Sequence, residues 1–296
     1  MSAAVEGPPY ASLGEPITGP RALGEDWSRL WHLTYNIARN EFKLRFFGSV
    51  LGYFWQLVRP LLLFSVLYVF FVKLGRIGNL AGPSNHFYGA QLLGSIVLFT
   101  FFAEATMGAV RSVVDRENLV RKIQFPRIVI PLSIVLVSLF NLTLNLVVVF
   151  VFALIEGVRP MLTWLELPLI VALLAVLSTG LAMLLSSLFV YFRDIQPIWE
   201  VVSQILFYAS PVIISLTTVQ MHLHGSAALF RLYALSPLTT VLQQFRHAII
   251  THGTLSAGQA LGSTAALLGP IGISVAVFVL GFVVFNRTAP QVAENI

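Results

Sequence analysis

A chain of 296 residues that is 57% hydrophobic and 10% charged, with a mean hydropathy of +0.83, is too apolar for a water-soluble domain and reads as a polytopic membrane protein. Its net charge is +5, and it has no cysteine, which excludes a disulfide framework, a thiolate nucleophile and a cysteine metal site.

Residues 1–26 hold Pro8, Pro9, Pro16 and Pro20 among glycines and small residues. They lack the apolar core of a secretory signal, so a flexible cytoplasmic tail is predicted. Over 27–47 the pattern changes to Trp27, Leu30, Trp31, Tyr35, Ile37, Phe42 and Phe46 interleaved with Arg29, Arg39, Lys43 and Arg45. This predicts an amphipathic helix in the headgroup plane, its basic residues drawn to anionic lipid.

Gly48 and Gly52 break that helix, and six membrane spans are predicted within 48–287. The first covers about 53–72, with Arg59 and Pro60 near its cytoplasmic end, where an arginine can snorkel to the interface. The second, about 88–110, carries Glu104 toward its inner end; the third covers 128–155, and the fourth, roughly 165–192, ends at Arg193-Asp194. The fifth is predicted over 195–216 and the last over 265–285, before a polar tail at 288–296. Residues 226–252 are mostly apolar but too short to cross twice, and Arg231, Pro237 and Arg246 interrupt them. The prediction there is a re-entrant pair of short helices meeting at Ser236-Pro237, dipping into the outer leaflet.

Between the second and third spans lies a polar island, Asp115-Arg116-Glu117-Asn118-Leu119-Val120-Arg121-Lys122-Ile123-Gln124-Phe125-Pro126-Arg127. Its charges place it in water at a membrane face, and its basic excess places that face in the cytoplasm. A short helix capped by Asp115 and stopped by Pro126 is the kind of element offered to a cytoplasmic partner; a solvated turn is the plainer alternative. Six spans put both termini on one side, and thirteen of the eighteen lysines and arginines fall there, which predicts cytoplasmic termini.

The chemistry of an enzyme is missing from the sequence. It has no Gly-x-x-x-x-Gly-Lys-Ser/Thr run, so nucleotide binding by a P-loop is excluded, and nothing points to a nucleic-acid partner. His222 and His224 form a weak metal motif without a nearby carboxylate, and Asn141-Leu142-Thr143 fits the glycosylation pattern but lies inside a span. A proton- or sodium-driven carrier places acids near the bilayer midplane, whereas Glu104 and Glu200 are predicted near the cytoplasmic side. The mid-membrane zones instead carry aromatics: Phe64, Tyr68, Phe70 and Phe71, then Phe99, Phe101 and Phe102, then Phe207 and Tyr208. Aromatic faces can stack on the apolar faces of sugar rings without fixing one position, although most such residues face lipid or pack. A membrane glycosyltransferase is disfavoured because the predicted outer loops are short, with Glu156 and Glu166 their only acids.

The ordered set of parts resembles the permease subunit of ABC-2 type polysaccharide exporters, the O-antigen, teichoic acid and capsule exporters. The resemblance rests on the amphipathic helix, the six spans, the polar island, Phe192-Arg193-Asp194-Ile195, Ser210-Pro211-Val212 and Ser236-Pro237-Leu238, and covers Trp27 to Arg287. Within the family the chain looks most like the actinobacterial exporter of lipid-linked galactan; a drug or small-lipid exporter is the alternative. The resemblance implies an all-α inner-membrane homodimer working with two ATP-binding cassette subunits, which hold the ATP and magnesium while this chain binds no cofactor. It implies a coupling helix at about 115–125, with Asp115, Arg116, Glu117, Asn118, Leu119, Arg121 and Lys122 against the ATPase. It further implies a channel for a polyprenyl-diphosphate-linked glycan. Arg39, Lys43, Arg45 and Arg59 would then attract the diphosphate at the entrance, and Phe64, Tyr68, Phe71, Phe99, Phe102, Phe207 and Tyr208 would line the channel. The re-entrant pair, with Arg231, Pro237 and Arg246, would close the extracellular mouth.

Overall fold

The computed structural model describes residues 27–46, 50–74, 87–116, 126–222 and 227–288, which contain helices and no strand. In chain order these are α1 (Trp27–Phe46), α2 (Val50–Tyr68, extended by a π turn, Val69–Leu74), α3 (Tyr88–Val110), α4 (Ser112–Asp115) and α5 (Val129–Glu156). A 3-10 turn, Leu162–Glu166, leads into α6 (Leu167–Tyr191), followed by α7 (Ile195–Ala209), α8 (Leu216–His222), α9 (Ala227–Ala234) and α10 (Pro237–Phe245). A second π turn, Arg246–Ile250, precedes α11 (Ala257–Leu261), a 3-10 turn at Thr264–Leu267, and α12 (Leu268–Thr288).

Five of these helical stretches are long and apolar enough to cross a membrane: Phe54–Phe71, Tyr88–Val110, Val129–Glu156, Leu162–Tyr191 and Thr264–Thr288. The fifth predicted span is shorter than the sequence suggested. α7 has 15 residues and ends at Ala209, about 22 Å of helix against a hydrocarbon core of about 30 Å. The cause is local: Ser210, which precedes Pro211, is extended (φ −88°, ψ 159°), because a proline ring clashes with a helical residue before it. The predicted pair at 226–252 is two short helices, α9 and α10, that meet at Ser236 with Pro237 opening α10.

α3 is the central post, most of it buried, while α2 and α12 are mostly uncovered. Leu92, Ile96, Leu98, Phe101 and Phe102 of α3 pack against α5, α6 and α10, sharing a cluster with Val149, Leu174, Leu242 and Phe245. Lipid is as apolar as these side chains, so cohesion here comes from close packing rather than water exclusion. α6 and α12 show it most plainly. A Cβ on Gly281 would run into the backbone carbonyl of Gly180, and one on Gly180 into the backbone of Phe278, so the two helices cross backbone to backbone.

Serines and threonines enter these apolar helices by bonding to their own backbone one turn back: Ser95 to Gln91, Thr106 to Phe102, Ser138 to Ile134, Thr179 to Ala175 and Ser274 to Pro270. α5 stops at Gly157, whose left-handed backbone (φ 96°) lets its N–H reach Ala153 and Leu154. The carboxylate of Glu156, at the same end, accepts from the N–H of Ala90 at 2.9 Å and so caps the free N-terminus of α3.

Candidate functional site

One end of the bundle, the inner end in the topology predicted above, is organised around α1. Leu30, Thr34 and Ala38 recur at helical spacing on its buried side, and Leu30 packs with Val113, Ile128, Val129, Met183 and Phe285, while Tyr35 and Phe42 both pack edge-on against Phe140 of α5. Arg39 and Lys43 remain exposed on the other side; Arg45 lies within α1. Glu41 forms an ion pair with Arg116 at the end of the island's first turn, and the same guanidinium donates to Ser133 Oγ of α5 at 3.1 Å. One side chain thus joins α1, α4 and α5. Burial pulls the Arg116 guanidinium below its ordinary value, and that of Arg127 likewise, but the carboxylate beside Arg116 favours the charged form. Asp115 is exposed and lies 3.7 Å from Arg111 along the helix, a pairing of little energetic weight. Glu117, Asn118, Leu119, Arg121 and Lys122, named above for the coupling helix, lie outside the described residues.

The aromatics form two groups. Phe99, Phe102, Phe207 and Trp199 meet between α3 and α7, with ring centroids 5.1 Å apart for Phe99–Phe207 and 6.4 Å for Phe102–Trp199. The indole N–H of Trp199 donates to Thr106 Oγ at 3.0 Å and fixes the join. Phe64 and Tyr68 of α2 stack with each other, and Phe64 meets Phe152 of α5 at 5.2 Å. Within a single chain Phe64, Phe99 and Phe102 are buried packing residues, whereas Tyr208, 75% exposed, points outward on α7. Phe71, in the π turn, is half-buried.

The opposite end, the outer one in the predicted topology, converges on Arg246, which is 1% exposed. Its Nε donates to Ser95 Oγ at 3.1 Å, and its two terminal nitrogens donate to the carbonyls of Val212 at 2.6 Å and Ile214 at 3.4 Å. The hydroxyl of Tyr88 takes the carbonyl between them, Ile213, at 2.9 Å. Three consecutive carbonyls of the stretch after α7 are therefore tied to α3 and α10. The π turn that Arg246 opens has the same logic: Thr163 Oγ and Trp164 Nε1 donate to the carbonyls of Ala248 and Ile249 at 2.6 and 2.9 Å. Gln244 bridges outward, donating to Glu166 at 2.7 Å and accepting from the N–H of Ala257 at 3.1 Å. Arg231 is exposed on α9, and Pro237 is half-buried at the start of α10.

Glu41, Ser133, Trp199, Tyr88 and Ser95 carry no signal in the sequence, since each partner lies at least 17 residues away. Among the described residues, no group of three or more His, Asp or Glu stands close enough to hold a metal ion.

Residues 32–250 match the family model for the ABC-2 type transporter. An O-antigen export system permease protein, RfbA, of Klebsiella pneumoniae is 29% identical over 185 residues, covering 62% of this chain and 69% of that protein. A protein of the same name from Myxococcus xanthus is 26% identical over 266 residues, 89% of this chain and 95% of that one. A multi-pass helical bundle without enzyme chemistry in its sequence, matched over most of its length by this model, belongs to the ABC-2 type transporter family.

Proposed function

We propose that this chain is the permease subunit of an ATP-driven exporter of a polyprenyl-diphosphate-linked polysaccharide. The observation that carries the reading is the similarity, along 89% of the chain, to a permease named for O-antigen export. In this reading two copies assemble with two ATP-binding cassette subunits on the cytoplasmic side, and both termini of each copy face that side. α7 and the stretch after it act as the sixth membrane element, and α9 and α10 form the re-entrant pair at the outer mouth. The island at about 115–125 takes the force of ATP binding and passes it through Arg116 to α1 and α5. Arg39, Lys43 and Arg45 gather the anionic diphosphate at the cytoplasmic entrance. The exposed face of α7, with Tyr208, and that of α2 border the passage, while the aromatic groups between α3 and α7 and between α2 and α5 set its width. A galactan is the polymer that overall likeness favours.

The test is co-expression with a candidate ATP-binding cassette subunit, followed by pull-down and an export assay in inverted membrane vesicles given radiolabelled lipid-linked glycan on their outward-facing cytoplasmic side. The reading expects a stable complex and ATP-dependent protection of the glycan inside the vesicle. Glycan synthesis by the chain alone, or export without the ATPase, contradicts it.

A further inference from the structure

Arg59 lies deeper in the bundle than its position in the sequence suggests. The Nε2 of Gln56 donates to Glu104 Oε1 at 2.9 Å, which sets α2 in register with α3, and Asn141 Nδ2 donates to the other oxygen of Glu104 at 3.1 Å, which adds α5. Phe64 against Phe152 repeats the alignment of α2 with α5 higher up. Glu104 is six residues from Val110, the inner end of α3, and Arg59 is three residues beyond Gln56. At 1.5 Å per residue, the Arg59 backbone stands roughly 13–14 Å above the inner end of a helix about 34 Å long. It is thus about 15 Å deeper than Arg111 and close to half depth. In α5 the same level falls near Leu144, close to the middle of Val129–Glu156.

At that depth Arg59 is exposed, and among the described residues no hydrogen bond or ion pair holds its guanidinium. It shares its stripe of α2 with Trp55, Leu62, Leu63 and Val66, all turned away from the bundle. Snorkelling toward the inner face would have to carry the guanidinium past a full turn and the ring of Trp55. A permanent cation held by none of the described residues is costly to leave against hydrocarbon at half depth, and water or an anion on this face of α2 would relieve that cost.

We propose that Arg59 is a phosphate-binding residue within the passage wall, holding the diphosphate of the cargo at half depth rather than at the cytoplasmic entrance. The ligand class rests on the exporter reading above; the aqueous exposure of Arg59 does not. A guanidinium forms a charge-assisted fork with phosphate oxygens, and an aromatic and aliphatic stripe above and below lets the attached lipid or sugar slide on.

The chain has no cysteine, so single-cysteine variants need no background removal. In native membranes holding the full chain, Arg59→Cys should react with a membrane-impermeant methanethiosulfonate at least about tenfold faster than Leu280→Cys on the exposed face of α12. Equal rates would overturn the aqueous placement, whether or not the protein exports glycan. A second variant, Leu63→Cys, keeps Arg59. In phosphatidylcholine vesicles its labelling by the anionic reagent should slow severalfold when undecaprenyl diphosphate is added, and Arg59→Gln should abolish that protection. Protection by undecaprenyl diphosphate but not by phosphatidylglycerol assigns the site to the cargo. Protection by both assigns it to lipid phosphate in general, and protection by neither refutes phosphate binding.

Discussion

At the outer end of the bundle a fully buried arginine, Arg246, is held by a hydroxyl and two backbone carbonyls, whereas at the inner end Arg116 is held by the carboxylate of Glu41, in a pair that water still reaches. Two of the three outer partners are main-chain groups fixed in place; Tyr88 holds the carbonyl between them, and Thr163 and Trp164 hold the turn that Arg246 opens. The inner partner is a side chain on an amphipathic helix whose other face is open. A buried hub of this kind makes a rigid frame, while a single ion pair that water partly reaches is the more easily separated of the two. In the exporter proposed above, the difference suits a subunit that takes force at its inner face and transmits it through a bundle braced at its outer face.

The largest expected effect comes from removing the outer hub. Arg246→Met leaves two buried carbonyls without donors and should destabilise the protein by at least about 2 kcal/mol, read as a lower unfolding midpoint in detergent. Arg246→Lys, which reaches fewer partners, should fall between it and the native chain. At the inner end, Glu41→Arg and Arg116→Glu should each impair ATP-dependent export while leaving folding nearly intact. The double swap should restore export, with a coupling energy of about 1–3 kcal/mol in a double-mutant cycle. Additive losses would show that the pair is only a surface contact. Trp164→Phe keeps the ring against Phe150 but loses the bond to Ile249, so a loss of about 1 kcal/mol is expected in the same unfolding measurement. The smallest effect belongs to Gln56→Leu, which removes the bond from α2 to Glu104 and should cost about 0.6 kcal/mol, the average for hydrogen bonds between membrane helices. It should nevertheless raise the labelling of cysteines placed on the α3 side of α2.

Much of this architecture was legible because membrane helices are set by length and hydropathy. The span predicted over 88–110 is α3 residue for residue, and the third was predicted within one residue at each end. α7 was predicted too long because its apolar run continues past Pro211, and hydropathy does not register the backbone clash that ends the helix at Ala209. The site was less legible. Arg246 in sequence reads as a gate residue of the re-entrant pair, and only the fold reveals that Ser95, Val212 and Ile214 surround it. Arg59 looked interfacial from its place near the start of a span; the side-chain register between α2, α3 and α5 sets it at half depth. Glu156, read as an outer-loop acid, is the cap of α3. In each case the deciding partner is remote in sequence, where pattern and periodicity carry no information.

The contrast between the two ends is tested most directly by spin-label distances in the assembled exporter, one pair at Lys43→Cys and Arg111→Cys, the other at Leu162→Cys and Ile214→Cys. With ATP bound and then hydrolysed, the inner pair should change its distance distribution while the outer pair keeps a single narrow one. An outer pair that shifts while the inner pair stays fixed would contradict the account.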